Sequence, residues 1–158
     1  MLVAPELSAL SGPVYLLAVA VPLSIFDVNQ RRLPNKLVLP GFPITLIGQL
    51  LAGILTRNFW AMLWAFLCGL VVFSLALLAN RGGAMGMGDV KLLALIAMSF
   101  GWWGPSTVLI ALGSGFIVAA LAVLTFFMVG RQRLTSTIPL GPYLLFGVGV
   151  AFTALVWS

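Results

Sequence analysis

An all-α integral membrane protein with six transmembrane helices is expected for this chain from three observations. Of its 158 residues, 62% are hydrophobic, only 7% are charged, and the mean hydropathy is +1.19. A soluble domain carries about 45–50% apolar and about 25% charged residues, so soluble, disordered and nucleic-acid-binding classes are excluded together. The net charge of +5 therefore implies no nucleic acid partner. A spanning helix needs about 20 mostly apolar residues, about 17 at the short end, to cross roughly 30 Å of hydrocarbon. Six segments reach or approach that length: Ser11–Val28, Leu37–Thr56, Asn58–Leu78, Val90–Trp103, Pro105–Val129 and Leu140–Trp157.

Each segment has local signals at its ends. The first has no basic residues ahead of it and carries Glu6, so it is expected to remain as a spanning helix and not to be removed as a signal peptide. Pro34-Asn35 forms a rigid turn before the second. The tight turn Thr56-Arg57-Asn58 leads into the third. The fourth is short. Its 14 residues rise roughly 21 Å, so a helix anchored by Trp102 and Trp103 would begin roughly 9 Å inside a ~30 Å core, with Asp89 at its start. The fifth follows the uncharged corner Gly101-Trp102-Trp103-Gly104, and the sixth follows Pro139. No heptad, longer repeat or low-complexity linker interrupts the chain, so residues 1–158 read as a single transmembrane domain.

Charge sets the orientation. Arg31, Arg32, Lys36, Arg81, Lys91, Arg131 and Arg133, seven of the eight basic residues, fall in or beside the odd-numbered connections, and the other side has only Arg57. Short loops rich in Lys and Arg stay in the cytoplasm, so both termini are expected outside. Trp60, Trp102, Trp103 and Trp157 then fall at the outer interface, as an aromatic belt would.

There is no histidine, and Cys68 is the single cysteine. Ser-His and Cys-His pairs are excluded, as are zinc sites that need imidazole. The remaining chemistry lies with Asp27 and Asp89, the acids near the membrane. An Asp at a helix centre costs about 2.5–3.5 kcal/mol and is a functional candidate for that reason. Structural alternatives exist for both. Asp27 could pair with Arg31 one turn later, and Asp89 could simply cap the fourth helix. However, Asp89 follows the run Gly82-Gly83-Ala84-Met85-Gly86-Met87-Gly88, which lets backbone pass close to another chain. Topology also puts both acids at one cytoplasmic depth. Two carboxylates held together in a low dielectric share a proton, a state suited to peptide hydrolysis.

Gly86-Met87-Gly88-Asp89 followed by Val90-Lys91-Leu92-Leu93 resembles the GxGD motif of the type IV prepilin peptidases. Asp27 with Leu33-Pro34-Asn35 resembles their first aspartate and its downstream Pro-Asn, and Ile138-Pro139-Leu140-Gly141-Pro142-Tyr143 resembles their turn into the last helix. The resemblance spans most of the chain. It implies a GxGD aspartyl protease-like fold and a membrane-embedded aspartic endopeptidase that needs no metal or cofactor. Asp27 and Asp89 would form the catalytic dyad. The substrate would be a prepilin, pseudopilin or related precursor, cut between a basic leader and a hydrophobic helix at the cytoplasmic face of a prokaryotic plasma (inner) membrane. Such peptidases serve type IV pili and protein secretion. Larger members carry a cytoplasmic insertion with paired cysteines, associated with methylation. Here the second segment follows Asp27 almost at once and Cys68 stands alone, so a short form without N-methyltransferase activity is expected.

Supporting positions are read alongside. Gly86 and Gly88 admit substrate backbone or an opposing helix, or are plain loop glycines. Lys91 is either a lipid-facing anchor or a charge near the pair. Met85 and Met87 read as flexible lining and not as a metal site. Pro34 and Asn35 shape the turn after the first acid. Pro139, Gly141 and Pro142 shape a helix start near the site, or an ordinary one. Membrane lipid is an expected partner, and the sequence carries no signal for oligomeric state. The rival reading is a small proton-coupled transporter or channel using the same acids as a relay. No inverted repeat or matched pair of interrupted helices accompanies it.

Overall fold

The computed structural model describes residues 4–30, 33–83, 85–128 and 140–157, which are helical almost throughout and contain no strand. A 3-10 segment, Ala4–Leu10, runs into α1 (Ser11–Gln30). Then come α2 (Asn35–Val38), α3 (Gly41–Thr56), α4 (Phe59–Arg81) and α5 (Met87–Phe100). A second 3-10 segment, Gly101–Trp103, leads to α6 (Pro105–Met128) and α7 (Gly141–Trp157). The stretches Glu6–Gln30, Asn35–Thr56, Phe59–Arg81 and Pro105–Thr125 are each long and apolar enough to cross a membrane. At 14 and 17 residues, α5 and α7 are shorter.

The short α5 is the centre of the bundle. Val90 and every residue from Leu92 to Phe100 are buried, and α5 touches α1, α2, α3, α4, α6 and α7. A helix apolar all round suits protein surroundings as well as lipid, and here protein surrounds it. It begins at Met87, three residues before the expected Val90, because Gly86 is extended (φ −75°, ψ 150°) and opens the helix there. The first acid-bearing segment also extends further than expected, being helical from Ala4 through to Gln30.

The second expected segment is divided. Pro40 has no N–H to give the Lys36 carbonyl, and its ring crowds that turn, so α2 stops and α3 restarts at Gly41. Pro43 is tolerated because it lies in the first turn of α3, where no intrahelical donor is required. At the break, the Tyr15 hydroxyl donates to the Leu37 carbonyl at 2.7 Å. The third segment starts as expected after Asn58, whose side chain accepts the Ala61 N–H at 3.2 Å, while Arg57 takes the left-handed conformation (φ 54°) that turns the chain.

Polar groups inside the bundle find partners on neighbouring helices. Thr45 and Ser99 share a hydrogen bond at 3.3 Å, and the Gln49 amide donates to the Met98 carbonyl at 2.8 Å. The expected aromatic belt is corrected at one position. Trp60 and Trp157 are 72% and 89% exposed, as a belt requires, whereas Trp102 is buried against Ala9, Ala52 and Ala61. Small residues on α3, α4 and the N-terminal 3-10 segment leave a slot that only a large ring fills.

The α6–α7 pair is packed backbone to backbone. A Cβ at Gly147 would collide with the Ala111 carbonyl oxygen, and one at Gly115 would lie 3.0 Å from the Leu144 Cα. Gly147→Val is expected to force the helices apart and destabilise the detergent-solubilised protein by about 1–3 kcal/mol. Gly149→Ala, whose Cβ would meet nothing within 4 Å, should leave thermal unfolding unchanged or slightly raised. Equal melting of wild type and Gly147→Val would contradict this packing.

Candidate active site

Asp27 lies one turn before the end of α1 and is only 4% exposed. Its Oδ2 accepts the backbone N–H of Gly141 at 2.7 Å. Gly141 is the first residue of α7, where the N–H has no acceptor within its own helix, and Pro142 follows it with no N–H to satisfy. The carboxylate therefore caps α7 from another helix, facing the positive end of its dipole. A Cβ at Gly141 would stand 2.7 Å from that same oxygen, so the approach requires glycine.

Asp89 is the third residue of α5, not its cap. Its carboxylate turns back toward the N-cap Gly86, where a Cβ would stand 3.4 Å from Asp89 Oδ2. The loop before Asp89 is fixed from outside the motif. Asn80, near the end of α4, donates from Nδ2 to the Met85 carbonyl at 2.6 Å, and Gly83 takes a left-handed φ of 74° beyond the helix end. Asn80 is a supporting residue that sequence reading missed, because a lone Asn near a helix end carries no pattern.

Asp27 and Asp89 line one cavity of about 400 Å³. Its wall is completed by Leu33, Asn35, Gly86, Met87, Gly88 and Lys91. Gly88 lies against Leu33 so closely that a Cβ would come within 2.9 Å of the Leu33 Cβ. Gly88 is thus a close-approach position, whereas a Cβ at Gly86 would meet only Asp89 Oδ2, at an ordinary 3.4 Å. Pro34 opens α2 from an extended conformation (φ −70°, ψ 124°), which sets Asn35 on the cavity wall. There its Oδ1 accepts from Lys91 Nζ at 2.9 Å. Lys91 accordingly points into the cavity, and the lipid-facing alternative is set aside for it. Of the two methionines, Met87 lines the cavity while Met85 packs against the core. Arg31, the alternative partner of Asp27, and Pro139 lie outside the described residues. Among the described residues, no three His, Cys, Asp or Glu side chains gather as a metal site would need.

Comparison with known proteins agrees with the motif reading. Residues 14–124 match the family described as the type IV leader peptidase family. The chain is 31% identical over 145 residues to the prepilin leader peptidase/N-methyltransferase of Pseudomonas putida, an alignment covering 86% of this chain and 46% of that protein. It is 34% identical over 143 residues to the Stutzerimonas stutzeri protein of the same name, covering 86% and 46%. To the Aeromonas hydrophila protein it is 30% identical over 152 residues, covering 89% and 47%. The chain thus spans about half the length of the curated relatives it matches. No solved structure gives a significant match. On the strength of a family match that runs through α1 to α6 and takes in both acids of the cavity, this membrane protein belongs to the type IV leader peptidase family.

Proposed function

We propose that the protein is a membrane-embedded aspartyl endopeptidase that removes the basic leader from prepilin, pseudopilin or related precursors. The observation that carries this reading is the convergence of Asp27 and Asp89 on one cavity at the end of the bundle where α1 ends and α5 begins. One carboxylate, ionised, takes a proton from water as the water oxygen attacks the scissile carbonyl carbon. The other, protonated, donates to the carbonyl oxygen as charge develops there. Collapse of the tetrahedral intermediate breaks the C–N bond, and the proton taken from water passes to the leaving amine. Lys91 and Asn35, bonded to each other in the cavity wall, offer donors for the substrate main chain. Both helix N-termini at the site, of α5 and α7, favour negative charge there.

The same end of the bundle carries Lys36, Arg81 and Lys91, in line with cleavage at the cytoplasmic face of the inner membrane with six spans and both termini outside. Only residues 31–34 separate α1 from α2, which leaves no room at that point for the insertion of the larger enzymes, so peptidase activity without methyl transfer is proposed. The relay reading gains no support from the relatives, whose names all state peptidase activity.

Co-expression with a prepilin from the same genome, resolved into precursor and mature forms on a gel, tests the dyad. Asp27→Asn and Asp89→Asn are each expected to lower cleavage by about a thousandfold or more while the variants still insert. Cleavage surviving either change would reject the mechanism. Gly141→Ala should displace the Asp27 carboxylate and reduce cleavage about tenfold to a hundredfold, because misplacing a reacting group by about 1 Å costs that much. A fully active Gly141→Ala enzyme would show that the α7 contact does not position Asp27.

A further inference from the structure

At the opposite end of the bundle, a second cavity of about 410 Å³ has an unusual lining. Trp60 and Trp64, one turn apart on α4, face it together with Trp102 and Trp103 of the 3-10 segment that ends α5. Glu6 and Asn58 supply its polar groups. Lying 13 positions apart along α5 and its 3-10 extension, Asp89 and Trp102 are roughly 20 Å from each other, so this cavity is separate from the site of the acids.

Two observations point to a ligand with both charges. Asn58 uses its Oδ1 to cap α4 and keeps its NH₂ for another acceptor, a donor suited to a phosphate. Glu6 is the only carboxylate on this wall and no ion pair to it occurs among the described residues, while the indole faces around it attract a cation. Beside Trp64 on α4, Leu63, Phe66 and Leu67 are exposed, a surface for acyl chains. We propose that this cavity holds the headgroup of a zwitterionic, amine-bearing phospholipid, the ammonium against Glu6 and the indoles and the phosphate against the Asn58 amide.

Four of the chain's five tryptophans line the cavity, so intrinsic fluorescence reports on it directly. The full chain, delipidated in a neutral detergent, is titrated with dioctanoyl phosphatidylethanolamine and, separately, with dioctanoyl phosphatidylglycerol. A saturable change is expected, with half-saturation about fivefold lower for the ethanolamine lipid. Glu6→Gln, a change at a partly exposed position, should reduce that preference to about twofold or less, and Trp64→Leu should weaken the ethanolamine lipid selectively, both with unchanged helical circular dichroism. Equal half-saturation for the two lipids in the wild type overturns the proposal. So does a preference that persists undiminished in Glu6→Gln. Neither readout depends on peptidase activity, so failure here leaves the dyad reading untouched.

Discussion

Hydrocarbon offers no hydrogen-bond partner, and this constraint organises the whole molecule. Any polar group carried into the membrane must be paired by the protein itself. The pairs found between helices follow from it: Thr45 with Ser99, Gln49 with the Met98 carbonyl, and Tyr15 with the Leu37 carbonyl beside the Pro40 break. Three of these bonds draw α1, α2, α3 and α5 into fixed register. The buried Asp27 obeys the same rule, since the N–H it accepts is the first of α7. A carboxylate and a helix N-terminus, each costly to leave unpaired, satisfy each other.

The site is assembled from helix ends. The starts of α2, α5 and α7 meet the end of α1, and at each start the chain uses proline or glycine for a different reason. Pro34 has no donor to leave unsatisfied and sets an extended entry angle. Gly88 lets the α5 start press against Leu33, and Gly141 lets α7 approach the acid. A side chain larger than hydrogen at Gly88 would crowd Leu33, and one at Gly141 would crowd the Asp27 carboxylate itself. The central position of α5 serves the same end. A short helix in contact with all six others cannot tilt freely, so its first turn, with Asp89, is held at a fixed depth.

The two ends of the bundle have opposite chemistry. One carries exposed Lys36 and Arg81 around a polar cavity with two acids, and the other gathers indoles, one acid and an asparagine. That division matches the general asymmetry of membrane proteins, in which basic residues mark one face and tryptophans anchor at the interface. Here the tryptophans divide further: Trp102 serves packing, while Trp60 and Trp157 stay exposed.

Much of this was legible in the sequence. Hydropathy located the long apolar helices, the spacing of Lys and Arg put both acids at one end, and the rarity of charge singled out Asp27 and Asp89. The glycine run and the Pro-Asn pair identified the family. Each of these is a local property: which solvent a segment suits, or which backbone conformations it tolerates. What surrounds a segment is not local. An apolar helix suits lipid and protein equally, so only packing decided that α5 is the buried core and that Trp102 fills a slot among alanines. Lys91 has a stem long enough to reach in several directions, and its turn toward Asn35 depended on where α2 came to rest. The donor to Asp27 could not be read either, because a backbone N–H is the same in every residue and gains meaning only when its helix end meets an acid from elsewhere in the chain. Sequence determined the solvent and the reactive groups; tertiary structure decided which groups met, since contact is a relation between distant segments and no single stretch of chain contains it.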